Sequence, residues 1–176
     1  AIVGQMVRDQ YQGGSTVMTA ISGVEIALWD IVGKACGQPI YKLLGGRCHK
    51  DIPAYANAWY GGAGTSREYA ERARDTVAMG YDALKFDPFG TAWKDMTAEQ
   101  SDRAVEIVAA VREAVGTNVR LMIEFHGRLS AGCAVATIRK LEPFQPEWCE
   151  EPVAPEHVEL LADVKRQVQS PIAAGE

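Results

Sequence analysis

Three glutamates in the last third of the chain have the type and spacing that chemistry needs. Glu124 closes the apolar run 119–123, Glu150 follows Trp148 and Cys149, and Glu176 follows the run 171–175, each 26 residues from the next. Each ends a short β-like run, one βα repeat from its neighbour. In a parallel barrel successive strands end on one face, so three such carboxylates would converge at the mouth. Converging carboxylates repel one another unless a cation neutralises them, and hard oxygen donors with room for water and substrate suit Mg²⁺. The plainer alternative is three solvated glutamates; the equal phase favours a site.

Other candidates cluster around the first two glutamates. His126 stands two residues beyond Glu124, so strand alternation returns it to the same side. A histidine there can donate or accept a proton, although a histidine simply hydrogen-bonded in a βα loop is the alternative. Lys85 and Asp87 end an earlier β-like run, again two apart. Lys85 either holds a substrate carboxylate or acts as a base when desolvated, or it pairs with Asp87 or a strand-end glutamate. Asp87 and Arg128 are read as substrate contacts, with a solvent-facing loop arginine as the alternative for Arg128. His49 and His157 fall in polar surface contexts.

These residues must be positioned by an alternating series of elements. A helix is expected over residues 15–35, capped by Ser15 or Thr16, with Val17, Ile21, Val24, Leu28 and Ile31 on one face. Gly37 and Pro39 stop it, and residues 40–44 add a further short turn. Strands are expected over 52–59, 82–87, 119–124, 147–150 and 171–174. Between them come helices opened by capping boxes at Thr65 with Glu68 and at Thr97 with Gln100, by Ser130, and near Pro155. The loop 61–64 is glycine-rich but lacks a phosphate-binding pattern. Strand and helix alternate five times with short connections, the mark of a parallel sheet. Polar residues at successive strand ends favour a barrel over a doubly wound sheet. Five strands do not close an eight-stranded barrel.

Composition sets the outer bounds. The chain has 176 residues, 47% hydrophobic and 23% charged, an ordinary globular balance. A net charge of −5 without a basic run argues against nucleic-acid or anionic-membrane partners. No uninterrupted apolar run approaches the ~18 residues of a membrane span, and no signal peptide opens the chain. Cys36, Cys48, Cys133 and Cys149 show no CxxC spacing and read as reduced thiols of a cytoplasmic protein. The chain starts without Met and stops after a strand-like run, so both ends read as cut from a longer polypeptide.

Several segments together resemble one family. Val24-Glu25-Ile26-Ala27-Leu28-Trp29-Asp30-Ile31 with Gly33-Lys34, Leu43-Leu44-Gly45-Gly46, and Leu84-Lys85-Phe86-Asp87-Pro88-Phe89 are similar to the mandelate racemase and muconate lactonising enzyme branch of the enolase superfamily. Glu124-Phe125-His126-Gly127-Arg128, Glu150-Glu151-Pro152-Val153 and Ala174-Gly175-Glu176 complete the resemblance, which covers nearly the whole chain in order.

The resemblance implies an α/β fold: a partial TIM-type (β/α)₇β barrel, about its first five strands, preceded by the end of an α+β capping domain. Residues 1–50 would be the end of the capping region with its lead-in helices, and 51–176 the first part of the barrel. Glu124, Glu150 and Glu176 fall on the family's three Mg²⁺ ligands, the first of which is usually Asp. The family removes a proton α to a substrate carboxylate, a step that needs charge stabilisation of the enolate. Racemases of the branch carry a second lysine where this chain has Asp87. The segment around His126 instead resembles sugar-acid dehydratases, in which that histidine protonates the departing β-hydroxyl. The base of those relatives is a histidine on a later strand, beyond residue 176.

The expected function is therefore Mg²⁺-dependent dehydration of an aldonic acid to a 2-keto-3-deoxy acid, with His126 and Lys85 catalytic. The expected partners are a small-molecule sugar acid and, by family resemblance, further copies of the chain. The alternatives are a racemase or epimerase of the same superfamily, and a catalytically inactive fragment.

Overall fold

The computed structural model describes residues 2–10 and 13–175. The chain divides into two units, Ala1–Ile52 and Pro53–Glu176.

The first unit is helical: α1 (Ile2–Asp9), α2 (Ser15–Cys36) and α3 (Ile40–Leu43). The N-cap of α2 is Gly14, which makes no side-chain cap bond, so the expected Ser15 or Thr16 cap does not form. The other end is as expected. Gly37 adopts a left-handed φ of 60°, and Gln38 N–H donates to Gly33 O at 2.9 Å. Gly33 is required there, because a Cβ would lie 2.9 Å from Gln38 O. By length and composition alone α2, 22 residues with an 18-residue window of mean hydropathy 1.4, is long and apolar enough to cross a membrane. That was not expected from the sequence, where Glu25, Asp30 and Lys34 break up the apolar run.

The second unit is built on four parallel strands among the described residues: β1 (Ala83–Phe86), β2 (Arg120–Glu124), β3 (Trp148–Glu150) and β4 (Ile172–Ala173). They alternate with α4 (Ser66–Ala78), α5 (Ala98–Val115), α6 (Ala131–Leu141) and α7 (Val158–Gln167). The order β1-β2-β3-β4 never reverses. A doubly wound sheet reverses at a switch point, whereas a barrel adds each strand on the same side. This is an α/β partial barrel.

Local chemistry explains the helix starts. Thr65 and Glu68, and likewise Thr97 and Gln100, form complete capping boxes at α4 and α5. Ser130 accepts from Cys133 N–H to cap α6.

The strands alternate strictly. Leu84, Phe86, Leu121, Ile123 and Cys149 join Tyr69, Ala73, Ile107, Val108, Val111, Ile138 and Val164 in one buried core between sheet and helices. By period-two alternation, Lys85, Met122, Glu124, Trp148 and Glu150 share the opposite face.

The first expected strand, 52–59, is much reduced. It joins the sheet through one parallel bridge, Ala56 to Leu84. Beyond it Ala58 takes a left-handed φ of 58° and the chain turns. Trp59 and Tyr60 then pack on Tyr69 and Phe86, with Trp59 and Phe86 ring centroids 5.3 Å apart. Burial of these aromatic rings against the core replaces further ladder pairing.

Candidate functional site

The C-terminal ends of β1, β2 and β3 bring six of the seven candidate residues into two linked groups. Glu176 lies outside the described residues.

The first group is Lys85, Glu124 and Glu150. Register pairs Glu124 directly with Glu150 and places Lys85 opposite Met122, one pleat below. Lys85 Nζ therefore reaches up between both carboxylates, 2.9 Å from Glu124 Oε2 and 2.6 Å from Glu150 Oε1. All three are nearly enclosed: side-chain exposure is 9% for Lys85, 3% for Glu124 and 14% for Glu150. Of the pairings open to Lys85, Asp87 is not the one adopted.

The electrostatics follow from this crowding. Burial pushes the Glu124 carboxyl above its ordinary value, the adjacent Glu150 charge adds to this, and hydrogen bonds from Lys85 and His126 N–H offset only part. Burial opposes ionisation of Glu150 too, but donors from Lys85 and Trp148 outweigh it and hold Glu150 below the ordinary range. Burial alone would lower Lys85; hydrogen bonds to Glu150 and Glu124 overcome it and raise it. Lys85 is a fixed ammonium, unsuited as it stands to act as a base.

The second group is Asp87, His126 and Arg128. His126 Nδ1 lies 2.8 Å from Asp87 Oδ2, and Arg128 donates to the same oxygen. Asp87 Oδ1 accepts Phe89 N–H at 2.9 Å. Arg128 also donates to Phe125 O at 3.1 Å and Gly90 O at 2.8 Å, joining the β1 and β2 loops. The loops are further bridged through backbone, Lys94 N–H to Arg128 O and Ser130 N–H to Lys94 O. An acceptor on Nδ1 requires that nitrogen to carry the proton in the neutral ring, leaving Nε2 for another partner. The His126 side chain is 47% exposed, so its ring is reachable from solvent.

One bond links the groups. His126 adopts a left-handed φ of 52°, which turns its own N–H onto Glu124 Oε1 at 2.9 Å. Gly127 follows at φ 64°, where an added Cβ would meet Ala154 Cα and Pro155 Cδ, each at 3.4 Å.

Three participants, Trp148, Tyr55 and Glu151, were not singled out from the sequence as site residues. Trp148 Nε1 donates to Glu150 Oε2 at 2.8 Å, and Tyr55 packs edge-on against Trp148 with its ring 5.7 Å below Lys85 Nζ. Glu151 is buried and binds the loop after β4. Strand alternation places Trp148 on the site face, but the indole's partner is set by register.

Among the described residues no group of three or more His, Cys, Asp or Glu is arranged to hold a metal ion. The donor set nevertheless fits a hard divalent cation. Two carboxylates in register already share one positive charge, the Lys85 ammonium.

Residues 68–176 match the enolase C-terminal domain-like family. Residues 1–45 match the N-terminal domain of mandelate racemase / muconate lactonizing enzyme. The chain belongs to the mandelate racemase/muconate lactonizing enzyme branch of the enolase superfamily. The D-gluconate dehydratase of Thermoproteus tenax is 45% identical over 158 residues, 90% of this chain and 32% of that protein. The D-galactonate dehydratase of Pectobacterium atrosepticum is 40% identical over 166 residues, 94% of this chain and 43% of that protein. The crystal structure of an enolase superfamily member from Salmonella Typhimurium superposes with a TM-score of 0.92 at 33% identity, over 99% of this chain and 50% of that one. This superfamily chain thus spans less than half the length of those two dehydratases.

Proposed function

We propose that the full-length protein is a Mg²⁺-dependent hydro-lyase that dehydrates an aldonic acid to a 2-keto-3-deoxy acid. In this reading residues 1–50 are the end of the capping region and 51–176 the first part of the barrel. The division at Ile52 and Pro53 and the two family matches support those bounds. The carrying observation is the strand-end cluster. Two enclosed carboxylates in register lie beside a histidine whose N–H is bound to one of them. The relatives named as D-gluconate and D-galactonate dehydratases support the substrate class.

Glu124, Glu150 and Glu176 would hold the cation. When bound, it supplies positive charge where the substrate carboxylate becomes electron-rich as its α-proton leaves. Lys85 adds a second fixed positive charge on the same face and contacts the substrate carboxylate. His126, oriented through Nδ1 by Asp87 and entering the step protonated on both ring nitrogens, gives its Nε2 proton to the β-hydroxyl as the C–O bond breaks, so the group departs as water and the ring is left neutral. The α-proton is taken by a base that the described residues do not supply. Asp87 and Arg128 act mainly by holding His126 and its loop. This reading gives them a positioning role in place of the expected substrate contacts, since each already binds backbone as well as the other.

The experiment is incubation of the full-length protein with Mg²⁺ and a panel of stereoisomeric aldonic acids, followed by assay for 2-keto-3-deoxy products. Turnover of at least one acid, abolished by a chelator and restored by Mg²⁺, is expected. Deuterium exchange at the α-carbon with no loss of water would mean a racemase instead.

A further inference from the structure

Glu151 is a buried acidic group that the mechanism above does not use. It is 3% exposed, and none of the ion pairs among the described residues involves it. A carboxylate is costly to enclose, so its hydrogen bonds should account for its presence. The residue's backbone and side-chain hydrogen bonds together run to both neighbouring strand ends. Its carbonyl accepts Gly127 N–H at 2.7 Å, immediately after His126. Its own N–H donates to Ala173 O at 3.0 Å, in β4. Its side-chain Oε1 accepts the N–H of Gly175.

The backbone is shaped for this. Glu151 holds a left-handed φ of 43°, a conformation costly for a residue with a Cβ. His126 at φ 52° and Gly175 at φ 104° also lie at positive φ, so all three strand ends turn in the left-handed region.

We propose that Glu151 is a positioning residue that sets the relative placement of the β2, β3 and β4 ends and so builds the cation site. This rests on the metal reading given above. Glu150 precedes it and Glu176 follows Gly175 in the chain. Through Gly127 the same residue bears on His126, whose N–H is bound to Glu124. One residue therefore ties together the neighbouring strand ends, through its backbone carbonyl to Gly127 and through its carboxylate to Gly175.

The test uses two variants of the full-length protein and two readouts. Glu151→Asn tolerates a left-handed φ but is one methylene too short to reach Gly175. Glu151→Gln keeps an oxygen at full reach and serves as the rescue. In the metal-free protein, amide exchange at Gly175 should quicken about tenfold or more in Glu151→Asn and return towards the parent rate in Glu151→Gln. Exchange at Gly127, bound to a backbone carbonyl, should change far less. By calorimetry, Mg²⁺ affinity should weaken about tenfold in Glu151→Asn and recover in Glu151→Gln. Unchanged Gly175 exchange in Glu151→Asn would overturn the positioning role, as would quickened exchange with unaltered Mg²⁺ affinity. A parent protein that binds no Mg²⁺ overturns the metal reading itself, even if Gly175 exchange responds as expected.

Discussion

His126 Nδ1 lies 2.8 Å from Asp87 Oδ2, across two strand-end loops that the chain separates by 39 residues. An aspartate in that position orients the imidazole and holds its Nδ1 proton, so that with both ring nitrogens protonated the Nε2–H points away as the donor a leaving hydroxyl requires. Asp87→Asn should lower kcat about ten- to a hundredfold while leaving KM and Mg²⁺ affinity nearly unchanged. Steady-state kinetics checks this, with ¹⁵N chemical shifts of the His126 ring reporting the tautomer. A rise in KM at constant kcat would instead make Asp87 a contact of the substrate ground state.

Arg128 donates to Asp87, Gly90 O and Phe125 O. Lysine cannot reproduce that planar set of donors. Arg128→Lys should therefore behave as a loosened loop, with kcat reduced about tenfold and the acid's KM little altered. If Arg128 bound the substrate anion, lysine would keep the charge and alanine would raise KM sharply. Kinetics of both variants separates the two roles.

Lys85 neutralises two enclosed carboxylates. Removing one partner of a buried charge set leaves the others uncompensated, at a cost of about 3 kcal/mol. Metal-free Lys85→Met should be destabilised by roughly that amount, and Mg²⁺ should restore more stability to it than to the parent, by mass action on the folded state. Urea denaturation with and without Mg²⁺ measures both quantities. Equal stabilisation of the two proteins by Mg²⁺ would show that the carboxylates do not share a cation site with the ammonium.

Cys149, next to Glu150 but facing the core, provides a pH test. Burial, with the Glu142 charge second, pushes its thiol from 9.0 up to about 12. The folded state keeps this proton where the unfolded chain has lost it, so stability falls as pH rises from about 9 towards about 12. Cys149→Ala should cost about 1 kcal/mol near neutral pH. Its alkaline decline should be shallower, by up to about 1.4 kcal/mol per pH unit. Denaturation midpoints at neutral and alkaline pH check the slopes; parallel slopes would mean that other groups govern the alkaline loss. The parent's Cys149 should also resist thiol reagents while folded, because the thiolate is the reactive form.

Much of this architecture is local chemistry and was legible in the chain. Thr65 with Glu68 and Thr97 with Gln100 are boxes within four residues, so no distant contact is needed to form them. Alternation along each strand assigns Leu84, Phe86, Leu121 and Ile123 to the core and Lys85 and Glu124 to the other face. That Glu124 and Glu150 end neighbouring strands also follows from their equal phase in successive repeats. What only the tertiary structure decided is partner choice. Lys85 had several acids within plausible reach, and parallel register, setting it one pleat below Glu124 and Glu150, gave it those two. Asp87, two residues further on and just past the end of β1, was thereby left to His126 and Arg128. Residues 52–59 alternate well enough for a strand, yet burial of Trp59 and Tyr60 on Tyr69 and Phe86 outweighs the ladder. Glu151 reads as the second of two adjacent acids, and only the left-handed turn at its α-carbon directs its carboxylate towards Gly175. Periodicity is carried by neighbours in sequence and sets which face a side chain takes; register and turn geometry are set by residues tens of positions away, and they determine which atoms meet.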